Sequence, residues 1–124
     1  MYQRVLVGTD GSKTATKAVD RAVDVAKAHG AKLTIMSAGS AKAQKVVDAE
    51  AERLADQDVE IDTAVADGDP SKALIDCART GGYDLLVVGN KGLIGIRRVL
   101  PSVPSKVTHH LPCSMLVVKT TGGG

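Results

Sequence analysis

Three glycines at equal spacing follow an apolar run in the second half of the chain, and they are the residues best suited to hold a ligand. The run Leu85–Val88 is uninterrupted and ends at Gly89, a pattern typical of a strand buried on both faces. Gly92 and Gly95 continue the spacing, and a glycine-rich loop lets backbone N–H groups approach a bulky ligand closely. We therefore expect a strand and then a loop, over residues 89–100, shaped for a phosphate.

A helix is expected to begin just beyond this loop. Ser102 is a candidate N-cap for a helix that runs from Val103, and free N–H groups at a helix start favour an anion. The spacing Gly-x-x-Gly-x-x-Gly is neither the Rossmann fingerprint nor a P-loop, and many glycine loops only connect elements. A phosphate site and a plain connector both remain open on this pattern alone. Positive side chains lie in and after the loop, at Lys91, Arg97, Arg98 and Lys106.

The composition narrows the classes of function. With 124 residues the chain is expected to form one domain, which we assign to residues 1–119, followed by a flexible tail over residues 120–124. The formal net charge is +2 and there is no Phe or Trp, so we expect no nucleic-acid partner. No apolar run is long enough to span a membrane, and no signal-peptide pattern is present. Cys77 and Cys113 lie far apart, as in reduced cytoplasmic proteins, so we expect a cytoplasmic protein.

Hydrophobic periodicity predicts strands that alternate with helices. Strands are expected over residues 4–9, 32–37, 59–65, 85–88 and 114–118. Helices are expected over residues 12–30, 41–57, 70–81 and 103–110. Such alternation indicates an α/β fold, with a parallel sheet that carries helices on both faces.

Two of the predicted strand ends carry glycine-bearing turns. Gly8–Ser12 follows the first strand and Gly89–Gly92 follows the fourth. Ligands of such sheets bind beyond the carboxyl ends of the strands, where strand order reverses, so both turns would face one crevice if their strands are neighbours. Asp10 could accept a hydrogen bond there from an exocyclic amine or a sugar hydroxyl. Its alternative role is an Asx-turn before the first helix, and the two roles are compatible.

Four segments, in order along nearly the whole chain, resemble the universal stress protein family. They are Gly8–Ser12, Gly68–Pro70, Tyr83–Gly92 and Pro112–Val118. The resemblance implies an open, Rossmann-like five-stranded sheet in the order 3-2-1-4-5, which makes strands one and four neighbours. It also implies a homodimer joined through strand five, Met115–Val118. This run contains no proline and no inward charge, and such an edge invites pairing.

One branch of this family binds ATP through Gly-x-x-Gly, nine residues, and then Gly-Ser or Gly-Thr. Gly89–Gly92 matches the first half, but only eight residues then precede Pro101, which stands in place of the glycine and removes a backbone donor. Arg97 and Arg98 could replace lost donors with charge. Position by position, the resemblance assigns the ligand site to Gly8, Thr9, Asp10, Ala38, Val88, Gly89, Asn90, Gly92, Ser102 and Val103.

We expect the chain to bind an adenine nucleotide, ATP before AMP or cyclic AMP, as a regulatory ligand without efficient turnover. Mg²⁺ could accompany ATP. Cyclic AMP is the first alternative, because one phosphate charge requires fewer donors. A stress protein that binds no nucleotide also remains open, as does a weak ATPase in which Lys91 or the arginines stabilise the transferred phosphate. No Ser-His-Asp order or carboxylate pair assigns a catalytic residue, and His109–His110 lacks the partners of a metal site.

Overall fold

The computed structural model describes residues 1–99 and 113–120, and these form a five-stranded sheet with helices on both faces. The strands are β1 Arg4–Gly8, β2 Lys32–Ala38, β3 Ile61–Ala66, β4 Leu85–Gly89 and β5 Ser114–Val118. The helices are α1 Lys13–His29, α2 Ala43–Arg53, α3 Pro70–Thr80 and α4 Asn90–Val99. All strand pairs are parallel and their order is β3-β2-β1-β4-β5, which confirms the predicted topology.

Two of the helices begin at caps that are readable from the sequence. The Ser12 hydroxyl accepts a hydrogen bond from the Ala15 N–H at 3.2 Å and starts α1. The Asp69 carboxylate accepts from the Lys72 N–H at 3.0 Å, and Pro70 occupies the first position of α3. No helix in the described residues is both long and apolar enough to cross a membrane.

The sheet is covered on both faces, so its central strands bury residues on both sides. Along β1, Val5 and Val7 face α1 and α2, whereas Leu6 faces α3 and α4. The first face also buries Val19, Leu33, Ile35, Val47 and Val87. The second face also buries Met36, Leu74, Ile75, Leu86, Val88 and Ile96. With alternate residues buried on opposite faces, β4 and the middle of β1 read as continuous apolar runs, whereas β2 also buries Thr34 and Ser37.

The segment that follows β4 corrects the sequence prediction. A loop was expected over residues 89–100, but residues 90–99 form α4 directly after the strand. Leu93, Ile96 and Val99 recur every third residue and pack into the core beneath α3, where Ile96 is fully buried. Burial of this stripe outweighs the helix penalty of about 1 kcal/mol for each glycine. The helix expected from Val103 lies outside the described residues.

Candidate functional site

A cavity of about 190 Å³ opens at the carboxyl ends of β1 and β4, the neighbouring strands where the strand order reverses. Its lining includes seven of the residues that the sequence assigned to a ligand site: Gly8, Thr9, Asp10, Ala38, Val88, Gly89 and Gly92. Asn90 is adjacent but does not line the cavity. Ser102 and Val103 lie outside the described residues. The turns after β1 and β4 therefore face one crevice.

The β1–α1 turn places a carboxylate at the cavity. Asp10 Oδ1 accepts a hydrogen bond from the Ser12 N–H at 2.9 Å, which is the Asx-turn that the sequence offered as one role of this residue. The Ser12 hydroxyl and N–H lower the pKa of Asp10, and Lys91 adds to the effect. The carboxylate therefore stays ionised and can accept a further hydrogen bond from a ligand.

Three helix N-termini converge on the cavity. Ser12 at the start of α1, Ser71 in the first turn of α3, and Lys91 and Gly92 in the first turn of α4 all line it. Each helix start carries a partial positive charge, and its first N–H groups have no partner inside the helix. Lys91 is the only cationic side chain that lines the cavity within the described ranges. This rim suits an anion.

Below the rim, the cavity has an apolar floor. Ala18 comes from α1, Met36 from β2, Leu74 from α3 and Val88 from β4. A flat heterocycle could be buried against such a surface, with the polar rim fixing its orientation. The sequence did not assign Leu74 or Met36 to the site.

Thr120 corrects the expected tail. It is only 6% exposed and lines the cavity. Its N–H and its hydroxyl both donate to Asn90 Oδ1, each at 2.9 Å. The Asn90 side chain therefore holds the segment after β5 against the start of α4, and Thr120 forms part of the cavity wall. The rest of the predicted tail, residues 121–124, lies outside the described residues.

The rim is braced by contacts between α3 and α4. Arg98 donates to Asp69 Oδ1 at 2.9 Å, while Oδ2 of the same carboxylate caps α3. Gly95 packs against the Ser71 side chain so closely that a β-carbon at Gly95 would overlap the Ser71 hydroxyl. These contacts hold the start of α3 against the middle and the last turn of α4. Among the described residues, no group of three His, Cys, Asp or Glu side chains is arranged to hold a metal ion.

Comparisons with known proteins agree with this architecture. The model of the universal stress protein family matches residues 1–44 and 37–119. The universal stress protein Rv1636 of Mycobacterium tuberculosis is 35% identical, over 97% of this chain and 98% of the relative. The universal stress protein YxiE of Bacillus subtilis is 28% identical, over 96% of this chain and 100% of the relative.

The comparisons also locate a difference in length. The alignment with the Bacillus subtilis relative runs over 148 positions, although this chain has 124 residues. The two stretches that match the family model meet at residues 37–44, where β2 ends and α2 begins. The family model therefore matches this chain in two stretches that meet where β2 joins α2.

Among solved structures, a universal stress protein in complex with cAMP is 39% identical, with a TM-score of 0.76 over 97% of this chain and 98% of the other. The family model matches almost the full length of the chain. The sheet order and the paired turns after β1 and β4 agree with this family match. The chain belongs to the universal stress protein family.

Proposed function

We propose that this universal stress protein binds an adenine nucleotide in the cavity as a regulatory ligand, and that it prefers cyclic AMP to ATP. The observation that carries the proposal is the meeting of three helix starts and Lys91 above an apolar floor. Such a rim can hold a phosphate while the floor holds a purine. The related protein in complex with cAMP supports this ligand class.

Charge favours cyclic AMP over ATP, which the sequence had placed first. A cyclic phosphate carries one negative charge, whereas a triphosphate carries several. Within the described part of the cavity lining, Lys91 alone supplies a full positive charge. Pro101 and Pro104 remove backbone donors from the following segment of the sequence.

Asp10 is poorly suited to act as a general base, and this favours nucleotide binding without turnover. Asp10 is the only carboxylate that lines the cavity in residues 1–99 and 113–120, and its Oδ1 already accepts from the Ser12 N–H. Its lowered pKa makes it a poor general base, because such a group has little tendency to take a proton from water near neutral pH. We therefore assign no catalytic residue.

Calorimetric titration of nucleotide-stripped protein with cyclic AMP, AMP, and ATP with and without Mg²⁺ tests the proposal. We expect saturable binding of cyclic AMP and weaker binding of ATP. Gly92→Val is the matched variant, because a β-carbon at Gly92 would lie 3.3 Å from Val88 Cβ and the larger side chain would enter the cavity. Absence of heat with every nucleotide would favour an interaction protein. Phosphate release from ATP above the Gly92→Val background would favour a weak ATPase.

We also propose a homodimer that pairs β5 with its copy. In the described sheet, β5 is an edge strand that pairs only with β4, so one side of its backbone is open to another strand. Val117 is 42% exposed, and Met115, Leu116 and Val118 are half-buried. An apolar edge without proline or charge is a ready template for a second strand.

A further inference from the structure

The short connection between β2 and α2 lies beside the cavity. β2 ends at Ala38, which lines the cavity, and α2 begins at Ala43, so only residues 39–42 join them. The additional residues of the relatives belong at this point, because the two family matches meet at residues 37–44. On this basis, the chain is shorter than those proteins at the connection next to Ala38.

The remaining turn packs against the neighbouring turn rather than over the cavity. Gly39 has a φ of +80°, and its N–H donates to the Ala66 carbonyl at 3.1 Å. A β-carbon at Gly39 would lie 2.7 Å from the Gly68 carbonyl oxygen and 3.0 Å from Pro70 Cγ. No residue between 39 and 69 lines the cavity. The wall beyond β2 therefore consists of Ala38 and the first turn of α3.

The two ends of the cavity differ in chemistry, and this difference orients a nucleotide. Lys91 and the start of α4 lie at the β4 side, where a phosphate is favoured. Met36 and Ala38 lie at the β2 side, beyond β1 in the strand order. A nucleotide with its phosphate at α4 directs its base towards β2. The edge of the base that carries N6 and C2 lies opposite the glycosidic bond, so this edge points towards β2. C8 lies next to the glycosidic bond and stays near the sugar.

We propose that the short β2–α2 turn leaves an open base subsite at Ala38, which accepts adenine nucleotides enlarged at N6 or C2 but not at C8. The inference rests on the proposed function, since it specifies the ligand class of the same cavity. A substituent at N6 or C2 passes over Ala38 into the space that the relatives' additional residues would occupy. A substituent at C8 meets the carboxyl ends of the strands and the helix starts that line the rest of the cavity.

Titration with three analogues of cyclic AMP tests this specificity. N6-benzyl and 2-phenyl cyclic AMP should bind within about threefold of the parent, whereas 8-phenylthio cyclic AMP should bind about tenfold or more weakly. If the N6 and C2 analogues also lose about tenfold while the parent binds, the open subsite is refuted and the proposed function stands. If no adenine nucleotide binds, the proposed function fails and this inference fails with it.

A loop insertion provides an independent test. The additional segment of the Bacillus subtilis relative is inserted between Gly39 and Ser40. We expect the affinity for cyclic AMP to change by no more than about threefold, and that for the N6-benzyl analogue to fall about tenfold or more. The control carries the same segment between Gly81 and Gly82, in the turn before β4 at the opposite end of the strands from the cavity, and should leave both affinities unchanged. If the variant with the insertion after Gly39 loses affinity equally for both ligands while circular dichroism shows an intact fold, the inference is overturned.

Discussion

Asn90 and Thr120, thirty positions apart in sequence, are joined by two hydrogen bonds to a single oxygen atom. Asn90 Oδ1 accepts from the N–H and from the hydroxyl of Thr120, each at 2.9 Å. A β-carbon at Gly89 would lie 3.0 Å from that hydroxyl, so the end of β4 and the residue beyond β5 are in close contact. Through this contact, the segment after the edge strand becomes part of the cavity wall.

Removing the Thr120 hydroxyl should destabilise the protein without changing the shape of the cavity wall. Thr120→Val keeps the backbone hydrogen bond and the branched side chain but loses the hydroxyl donor. We expect the free energy of unfolding to fall by about 1 kcal/mol, since the Thr120 side chain is buried. Urea denaturation measures the change. Thr63→Val on the exposed edge of β3 is the control and should stay within about 0.5 kcal/mol of wild type. Equal effects of the two substitutions would contradict a stabilising role for the Thr120 hydroxyl.

The parts of the fold that follow from local pattern were predictable from the sequence. Short apolar runs mark β1 and β4, and Ser12 and Asp69 mark two helix starts. Because ligands bind at the carboxyl ends of parallel strands, the sequence predicted that Asp10 and Gly89 face one crevice, and both line the cavity. Thr120 was not predictable in this way, because its burial depends on a side chain thirty residues away and leaves no periodic signal.

The error at α4 has a different physical origin. Three glycines within seven residues predict a loop when each residue is judged by its own helix propensity. Two of them lie inside the helix, because Leu93 and Ile96 bury an apolar stripe. Gly95 permits close approach to Ser71. The same spacing that suggested a flexible loop therefore serves helix packing, and only the position of α3 distinguishes the two interpretations.

The contact between Gly95 and Ser71 predicts a stability effect that depends on context. Gly95→Ala alone should destabilise the protein, since the new β-carbon overlaps the Ser71 hydroxyl. In a Ser71→Gly background the same substitution should stabilise the protein by about 1 kcal/mol, the helix-propensity gain of alanine over glycine. Urea denaturation of the four proteins gives the coupling energy. An identical effect of Gly95→Ala in both backgrounds would exclude the close packing of α3 on α4.

Asp69 predicts a pH dependence of stability. The Lys72 N–H and then the Arg98 guanidinium lower the pKa of Asp69 below the ordinary value of 3.8. A carboxyl whose pKa is lowered by folding stabilises the protein above its unfolded-state pKa, and this contribution is lost as the pH falls through the folded-state pKa. Asp69→Asn retains a good helix cap but cannot ionise. Its deficit in urea midpoint relative to wild type should therefore be largest near about pH 6 and shrink towards about pH 3.

A neighbouring carboxyl provides the control for this pH effect. Asp67 is exposed in the turn before α3, and Asp67→Asn removes a carboxyl of the same type close to the cap, so it is the matched variant. A deficit of Asp69→Asn that stays constant from neutral to acidic pH would show that the charge on Asp69 contributes nothing to the cap or to the pairing with Arg98.

Lys91 should distinguish the nucleotides by charge. Lys91→Gln removes the only full positive charge on the described cavity lining, so we expect about tenfold weaker binding of ATP and about threefold weaker binding of cyclic AMP. Both losses should shrink at high salt, because ions screen exposed charges. Arg97→Gln is the control, since Arg97 is exposed on the same helix and does not line the cavity. Equal losses for the two variants, measured by calorimetry, would indicate only a general effect of net charge.

The proposed dimer edge can be tested with two valines of nearly equal exposure on opposite edges of the sheet. Val117 on β5 is 42% exposed and Val65 on β3 is 43% exposed. If β5 pairs with its copy, Val117→Lys brings lysines of both chains near one interface, where like charges repel and lose water. Size-exclusion chromatography with light scattering should then give a monomer mass for Val117→Lys and a dimer mass for Val65→Lys. The reverse result would move the interface to β3, and two unchanged dimers would place it away from both edges, because neither edge would then be sensitive to charge.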